Sequence, residues 1–374
     1  KEYRRQRQMC IRDRYYAQQK IFKKNWDRRL DIDVSFSVPH MEIGEKAYIS
    51  ERINNAKVLP LTVLHVKFAV SRYLEFCDRV NTDVTDMNYR NDGFSVMSNE
   101  KITRNIDFVA RKRGFYSISS VSIIARDYFM VKQYARYLKL DAGVYVFPLA
   151  YPYDRIEDSM NDILGEIEVR RRLMPDPFAY AGIREYVHGD SMRSINWKAS
   201  AMNDRLMVNK HNSVCSGVVR ILLNLEPHSM IRPEKLQEVS ISLVRTVAES
   251  LVGRKQDIEF YSNGRDILET KENCMFKGNG SEALKSVNKC LARINGNSGI
   301  QDFYEVLDRE VRNVDPDIYY VVISPYYKAD LLQKLDHMWA NGVGISMLVP
   351  YYDINGFESV RGYMKGVEIG YNET

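Results

Sequence analysis

"GVVRILLNLE" (217–226) and, after a short break, "PEKLQEVSISLVRTVAESLVGR" (233–254) set the fold class of the second half of this 374-residue chain. The first is an apolar run of strand length, as a strand covered on both faces requires. The second places Leu236, Val239, Leu243, Val247 and Leu251 along one helical face. A buried strand leading into an amphipathic helix is the repeating unit of a parallel sheet. The alternation recurs downstream. Helical patterns "GSEALKSVNKCLARI" (280–294) and "QDFYEVLDREV" (301–311) precede a strand "DIYYVVISPY" (317–326). A helix "KADLLQKLDHMWANG" (328–342) ending on Gly342 and a strand "VGISMLVPYY" (343–352) then follow. The pattern predicts a doubly wound α/β sheet over residues 213–352, with 353–374 as a C-terminal tail. Within "QDIEFYSNGRDILET" (256–270), Asn263-Gly264 predicts a two-residue hairpin turn between two strands.

Working back toward the N-terminus, residues 30–150 read differently. "LDIDVSFSV", "KAYISERINN", "LTVLHVKFAV", "FSVMSN", "ITRNIDFVARKRGFYSIS", "SVSIIARDYFM" and "GVYVFPLA" are short runs rich in Val, Ile, Phe and Tyr with partial alternation. Turn signals such as "MEIGEK" and "RNDG" separate them. About seven short strands in such a span predict an antiparallel β-sandwich. Residues 151–212 join the halves; "EDSMNDILGEIEVRRRL" (157–173) and "MPDPFAYAG" (174–182) are polar or Pro/Gly-containing and read as a connection. The expected class is α+β multidomain, with a sandwich in front and an α/β domain behind.

Charge and cysteine usage narrow the function. Net charge is +5, but residues 1–14 hold six of the Lys/Arg and two of the acids, leaving 48 basic against 47 acidic residues elsewhere. A nearly neutral body has no electrostatic footprint for phosphate backbones, so nucleic acid is not an expected partner. "MCIRDR" (9–14) matches the translation of a sequencing adapter, so residues 1–14 read either as an assembly artefact or as a genuine basic arm, and neither reading bears on the fold. Residues 15–29 complete the lead-in, with Tyr15, Tyr16, Phe22 and Trp26 among Lys20, Lys23, Lys24, Arg28 and Arg29. That mixture suits the cytoplasmic edge of a membrane helix and, equally, an exposed helical lead-in. The five cysteines are odd in number and lack C-x-x-C spacing, which favours a reducing compartment over disulfides or a metal centre.

The segment "FAYAGIREYVHGDSMRSINWKASAMNDRLMV" (178–208) concentrates polar and aromatic residues. It resembles the signature of the domain-of-unknown-function 58 family. The matching positions are Arg184-Glu185-Tyr186, Gly189-Asp190, Arg193, Ile195-Asn196-Trp197, Ala199-Ser200-Ala201 and Leu206-x-Val208. Upstream, "RKRGFYSIS" (111–119) with Asp127 and Phe129 is similar to the same family. The resemblance implies a closing von Willebrand factor A-like domain and two membrane helices ahead of the sandwich. It also implies a MoxR-type AAA+ ATPase as partner. On that basis the chain is expected to be a non-enzymatic, membrane-associated scaffold or adaptor in protein or complex assembly, its soluble part facing the cytoplasm. Departures from the pattern are His188 in place of Pro, Asn196 in place of Asp, and Met202-Asn203 in place of Arg.

Read physically, Gly189 supplies a tight turn and Asp190 caps a helix over "SMRSINWKASAM". Ile195 and Ala199 share one face, Trp197 and Ala201 another. Trp197 is expected to bury its ring against the start of the α/β sheet, while Arg184 or Arg193 pairs with Asp190 or Glu185. The segment then acts as a clasp between domains. The alternatives are a hydrolase using His188 and Asp190 as acid and base, and a sandwich module that binds a ligand. No nucleophile sits in a G-x-S-x-G elbow, and no phosphate-loop or H-E-x-x-H motif is present. The resemblance would place a Mg²⁺ site at the C-terminal edge of the second sheet, but Asn224, Glu226 and Ser324 stand where acids and serines are needed. No metal or cofactor is expected, and partner binding at that edge would be metal-independent.

Overall fold

The computed structural model describes residues 2–78, 80–173, 180–187, 192–211, 217–227, 233–268, 273–278, 280–295, 300–312, 315, 317–352 and 357–370. The chain divides into two compact units, Lys1–Pro148 and Leu149–Thr374.

The first unit begins with helix α1 (Glu2–Asn25) and continues through ten strands. These are β1 (Leu30–Phe36), β2 (His40–Glu42), β3 (Lys46–Asn55), β4 (Leu61–Ser71) and β5 (Leu74–Phe76). They are followed by β6 (Thr82–Val84), β7 (Met87–Val96), β8 (Lys101–Ala110), β9 (Gly114–Arg126) and β10 (Gln133–Phe147). Four strands form a sheet in the order β1-β3-β8-β5, and six form a second in the order β2-β10-β9-β4-β7-β6. All pairs are antiparallel except β2 with β10. One core serves both sheets: Ile49, Ile53 and Phe108 come from the first, Leu64, Val66 and Val121 from the second. The unit is thus a β-sandwich built from alternating inward apolar residues.

Three strands that the apolar runs did not reveal, β2, β5 and β6, are three residues long. The first halves of β7 and β10 were also hidden. In β7 the inward positions are polar, with Asn88, Arg90 and Asp92 all buried. The lead-in is not an exposed appendage. Phe22 and Trp26 belong to the sandwich core, where Phe22 lies 5.6 Å from the rings of both Tyr128 and Tyr134. Tyr16 and Ile21 face solvent. Among the described residues no helix is long and apolar enough to cross a membrane.

The second unit opens with α2 (Glu157–Leu173). A small element follows: β11 (Tyr180–Glu185), α3 (Trp197–Asn203) and β12 (Met207–His211). Then come β13 (Val219–Leu223), α4 (Pro233–Gly253), β14 (Ile258–Asp266), β15 (Asn273–Gly278) and α5 (Gly280–Arg293). The chain ends with β16 (Ile294–Asn295), α6 (Phe303–Arg312), β17 (Tyr319–Ile323), α7 (Ala329–Ala340), β18 (Gly344–Tyr352) and β19 (Met364–Ile369). The main sheet runs β15-β14-β13-β17-β18-β19, with β16 beside β14. β15 and β16 are antiparallel to β14, and the other pairs are parallel. Ile221 and Leu223 face a layer made by α2, α4 and α5, whereas Leu222 faces α6 and α7. This alternation along β13 is the period of two that a strand covered on both sides must show.

Three expectations need correction here. Residues 157–173 are not connection: Met160, Ile163, Leu164 and Ile167 of α2 are buried in the sheet's core, and their charged neighbours occupy the outer face. Residues 353–374 are not a tail, because β19 extends the sheet by pairing with β18 from Met347↔Met364 to Tyr352↔Ile369. Nor do Asn263-Gly264 make a hairpin turn, since β14 continues through them, with its register against β15 shifting between Tyr261 and Arg265. A β-carbon at Gly264 would lie 2.6 Å from Ile294 Cγ2 and 2.8 Å from Leu225 Cδ1, so the glycine is there for close packing.

Candidate functional site

The signature segment forms a small self-braced element. β11 and β12 pair antiparallel from Ile183↔Asn209 to Glu185↔Met207, and α3 lies between them in sequence. Its helix starts later than expected. Asn196 is the N-cap, its Oδ1 accepting from Ala199 N at 3.0 Å, and a 3₁₀ turn Met192–Ser194 precedes it. Asp190 is therefore not the cap of this helix; with His188 and Gly189 it lies outside the described residues. Asn can accept the capping bond as Asp does. Its amide group also donates to Asn209 Oδ1 at 2.7 Å, which a carboxylate could not do.

Ser200 completes the brace. Its hydroxyl donates to the Asn196 carbonyl at 2.8 Å and accepts from Met207 N at 2.8 Å, tying helix to strand. Asn196 N reaches Met207 O and Tyr186 N reaches Leu206 O, each at 2.8 Å. Ile195 and Ala199 are both buried, on the shared face that their spacing predicts. Glu185 pairs with Arg205 at 2.6 Å instead of with an upstream arginine, while Arg184 donates to the Glu185 carbonyl at 3.0 Å. Arg193 falls in the 3₁₀ turn.

Trp197 departs most from expectation: its ring is 66% exposed, so it buries nothing against the α/β sheet. The reason is local. The capping bond fixes the first turn of α3, and with Ile195 and Ala199 inward, position 197 must point away. Ile183, Val187, Met192, Met202 and Leu206 of the same element are also exposed. An element held rigid by polar bonds thus presents a group of large apolar side chains to water.

The second candidate site is the C-terminal edge of the main sheet. Asn224, just past β13, is wholly buried, as are Asn263 on β14 and Ser324 just past β17. Asn224 Nδ2 donates to Ser324 Oγ at 3.0 Å, and Asn263 Nδ2 donates to Asn224 Oδ1 at 2.8 Å. Backbone groups complete the set. Leu225 N donates to Asn263 Oδ1 and Glu226 N to Asn224 Oδ1, each at 2.9 Å, and Ser324 Oγ donates to Tyr326 O at 2.7 Å. Neutral amides cross-brace the three strand ends. Glu226 sits at the rim, where its Oε1 accepts from Phe303 N at 2.8 Å and so caps α6. Burial pushes its carboxyl above the ordinary range, and neighbouring Asp302 adds to this. Among the described residues no group of three or more His, Cys, Asp or Glu could hold a metal ion. Asn263 was missed as a site residue because Asn-Gly reads so strongly as a turn.

A third polar cluster lies inside the sandwich and had no signal in sequence. Glu51 of β3 is wholly buried beside Asp92 of β7. Asp92 takes Arg90 Nε at 2.7 Å and Arg104 Nη1 at 3.1 Å. Neither oxygen of Glu51 has a hydrogen-bond partner, so no hydrogen bond offsets the burial of this carboxyl. Burial, then repulsion from Asp92, pushes the Glu51 carboxyl up to about 8.

No protein-family model matches the chain. No curated protein matches it in sequence. Solved structures similar to parts of it include a CARDB domain from Pyrococcus furiosus, 12% identical over 32% of this chain and 90% of that one, with a TM-score of 0.21. Another is the sixth cohesin of scaffoldin B from Acetivibrio cellulolyticus, 10% identical over 31% of this chain and 98% of that one, with a TM-score of 0.23. Alpha-2-macroglobulin from Escherichia coli, from domain MG7 to its C-terminus, is 15% identical over 34% of this chain and 21% of that one, at a TM-score of 0.24.

Proposed function

We propose that this chain is a non-enzymatic, membrane-associated adaptor of the domain-of-unknown-function 58 type, working with a MoxR-type AAA+ ATPase in protein or complex assembly. In this reading the second unit is a von Willebrand factor A-like domain that binds without metal. The observation that carries it is the exposed Trp197 with Met192, Met202 and Leu206 on a hydrogen-bonded frame. Rigid aromatic and Met side chains are what protein interfaces use as anchors. The matched signature residues and the amide-braced strand ends support the same reading.

The test is capture of a purified MoxR-type ATPase by the full chain and by Trp197→Ala. The adaptor reading expects binding to weaken at least tenfold, roughly the loss of one interface anchor. Stability should change by less than about 0.5 kcal/mol, because the ring is exposed. Absence of ATPase binding by the unaltered chain sinks the partner assignment; binding indifferent to Trp197→Ala sinks the role of this element.

A further inference from the structure

We propose that a groove at the end of α1, in the sandwich unit, binds a phosphate ester that carries an apolar body. The groove has a volume of about 790 Å³ and is lined by Asn25, Arg28, Arg29, Lys57, Val58, Leu59 and Pro60. One wall is cationic and the other apolar. This goes beyond the adaptor reading and needs no ATPase.

The cations differ in what they already do. Lys57 Nζ donates to the Trp26 carbonyl at 2.6 Å, satisfying the last turn of the helix. It is half-buried, and desolvation brings its ammonium down to about 8 despite the opposing pull of Asp27. An arriving anion would restore the charge that burial disfavours. Arg28 and Arg29 are exposed, and among the described residues their guanidinium groups make no hydrogen bond or ion pair. Two free planar forks beside a desolvated ammonium match the oxygens of a phosphate. Asp27 opposes the set through Lys57, while the charged residues that line the groove, Arg28, Arg29 and Lys57, are all cationic.

The groove is preformed. Asn55, wholly buried, donates to Leu59 O at 3.1 Å and to Met97 O at 2.7 Å, and Tyr128 OH donates to Pro60 O at 3.1 Å. Ala56 N bonds to Arg29 O at 3.0 Å, joining the cationic wall to the apolar one. Arg29 itself is held at φ +49°, a left-handed conformation that costs a non-glycine residue about 1 kcal/mol. Val58 is left largely in water, giving the apolar part of a ligand a surface to cover.

The expected ligand is the headgroup of an anionic phospholipid, and the shared chemistry is the phosphate ester. The full chain is floated with vesicles of phosphatidylcholine alone and of phosphatidylcholine with phosphatidylglycerol. Calorimetry against inorganic phosphate and a short-chain, monomeric phosphatidylglycerol forms the soluble arm. The groove variant is Arg28→Gln/Arg29→Asn, since Asn tolerates the left-handed backbone. The control, Lys20→Gln/Lys23→Gln, removes the same charge from exposed positions on α1. Binding to anionic vesicles should fall roughly thirtyfold in the groove variant and clearly less in the control. Equal losses in the two variants, or no binding of any phosphate probe, overturn the proposal. Tight binding of inorganic phosphate without vesicle binding keeps the phosphate site and assigns it a soluble ester. An unchanged urea midpoint for both variants rules out unfolding as the cause.

Discussion

Replacing Glu51 by Gln should make the sandwich more stable and remove most of its alkaline sensitivity. Glu51 is wholly buried, its oxygens have no hydrogen-bond partner, and burial followed by repulsion from Asp92 raises its carboxyl from 4.5 to about 8. The folded state therefore holds a proton that the unfolded chain releases above about pH 4.5. This group's contribution is fully present below that value and is lost as pH rises toward 8. At pH 7 the difference spans about 2.5 pH units, which at 1.36 kcal/mol per unit costs about 3 kcal/mol. Gln has no proton to lose, so Glu51→Gln should recover about 3 kcal/mol at pH 7 and almost nothing at pH 4. Trp26 is the buried one of the three tryptophans, while Trp197 and Trp339 are exposed. In a Trp197→Phe/Trp339→Phe background its fluorescence follows the sandwich through urea unfolding. If the stability of parent and variant falls in parallel between pH 5 and pH 8, the assignment of the proton to Glu51 is wrong.

Two further predictions concern the second unit. Asn196→Ala removes the helix cap and the bond to Asn209, and should cost about 1–2 kcal/mol in thermal or urea unfolding, whereas Asn196→Asp should keep the cap and lose less; a cost below about 0.3 kcal/mol for Ala would refute the brace. Gly264→Ala forces a methyl against Ile294 and Leu225 and should cost about 1–3 kcal/mol by the same measurement, while a stabilising effect would show that the site has room for the methyl and refute the close-packing account.

Much of the α/β unit was legible because its strands are long apolar runs and its helices carry an unbroken stripe, as in 217–226 and 233–254. Of the two charges in that first run, Glu226 stands at its end and Arg220 is half-buried between Glu259 and Glu310, so the apolar pattern survives them. Legibility failed where polar residues face inward. In β7, Arg90 and Asp92 neutralise each other inside the sandwich and disguise a core strand as a loop. In α2, a dense outer face of Glu and Asp hides the buried row of Met160, Ile163 and Ile167. The site was misread for a related reason. Asp190 and Asn196 are both good caps, and nothing in the spacing says which one starts the helix. The choice of Asn196 turns the register, and with it Trp197, toward solvent.

The amide lattice of Asn224, Asn263 and Ser324 has an implication for regulation. Strand ends clamped by a divalent ion can be loosened by a chelator or by competition among cations. A clamp made of uncharged side chains has no such lever, and the group at this edge that answers to mild acid is Glu226 at the rim, its carboxyl raised by burial. The amide lattice itself therefore keeps the strand ends at one spacing when cations are exchanged or removed.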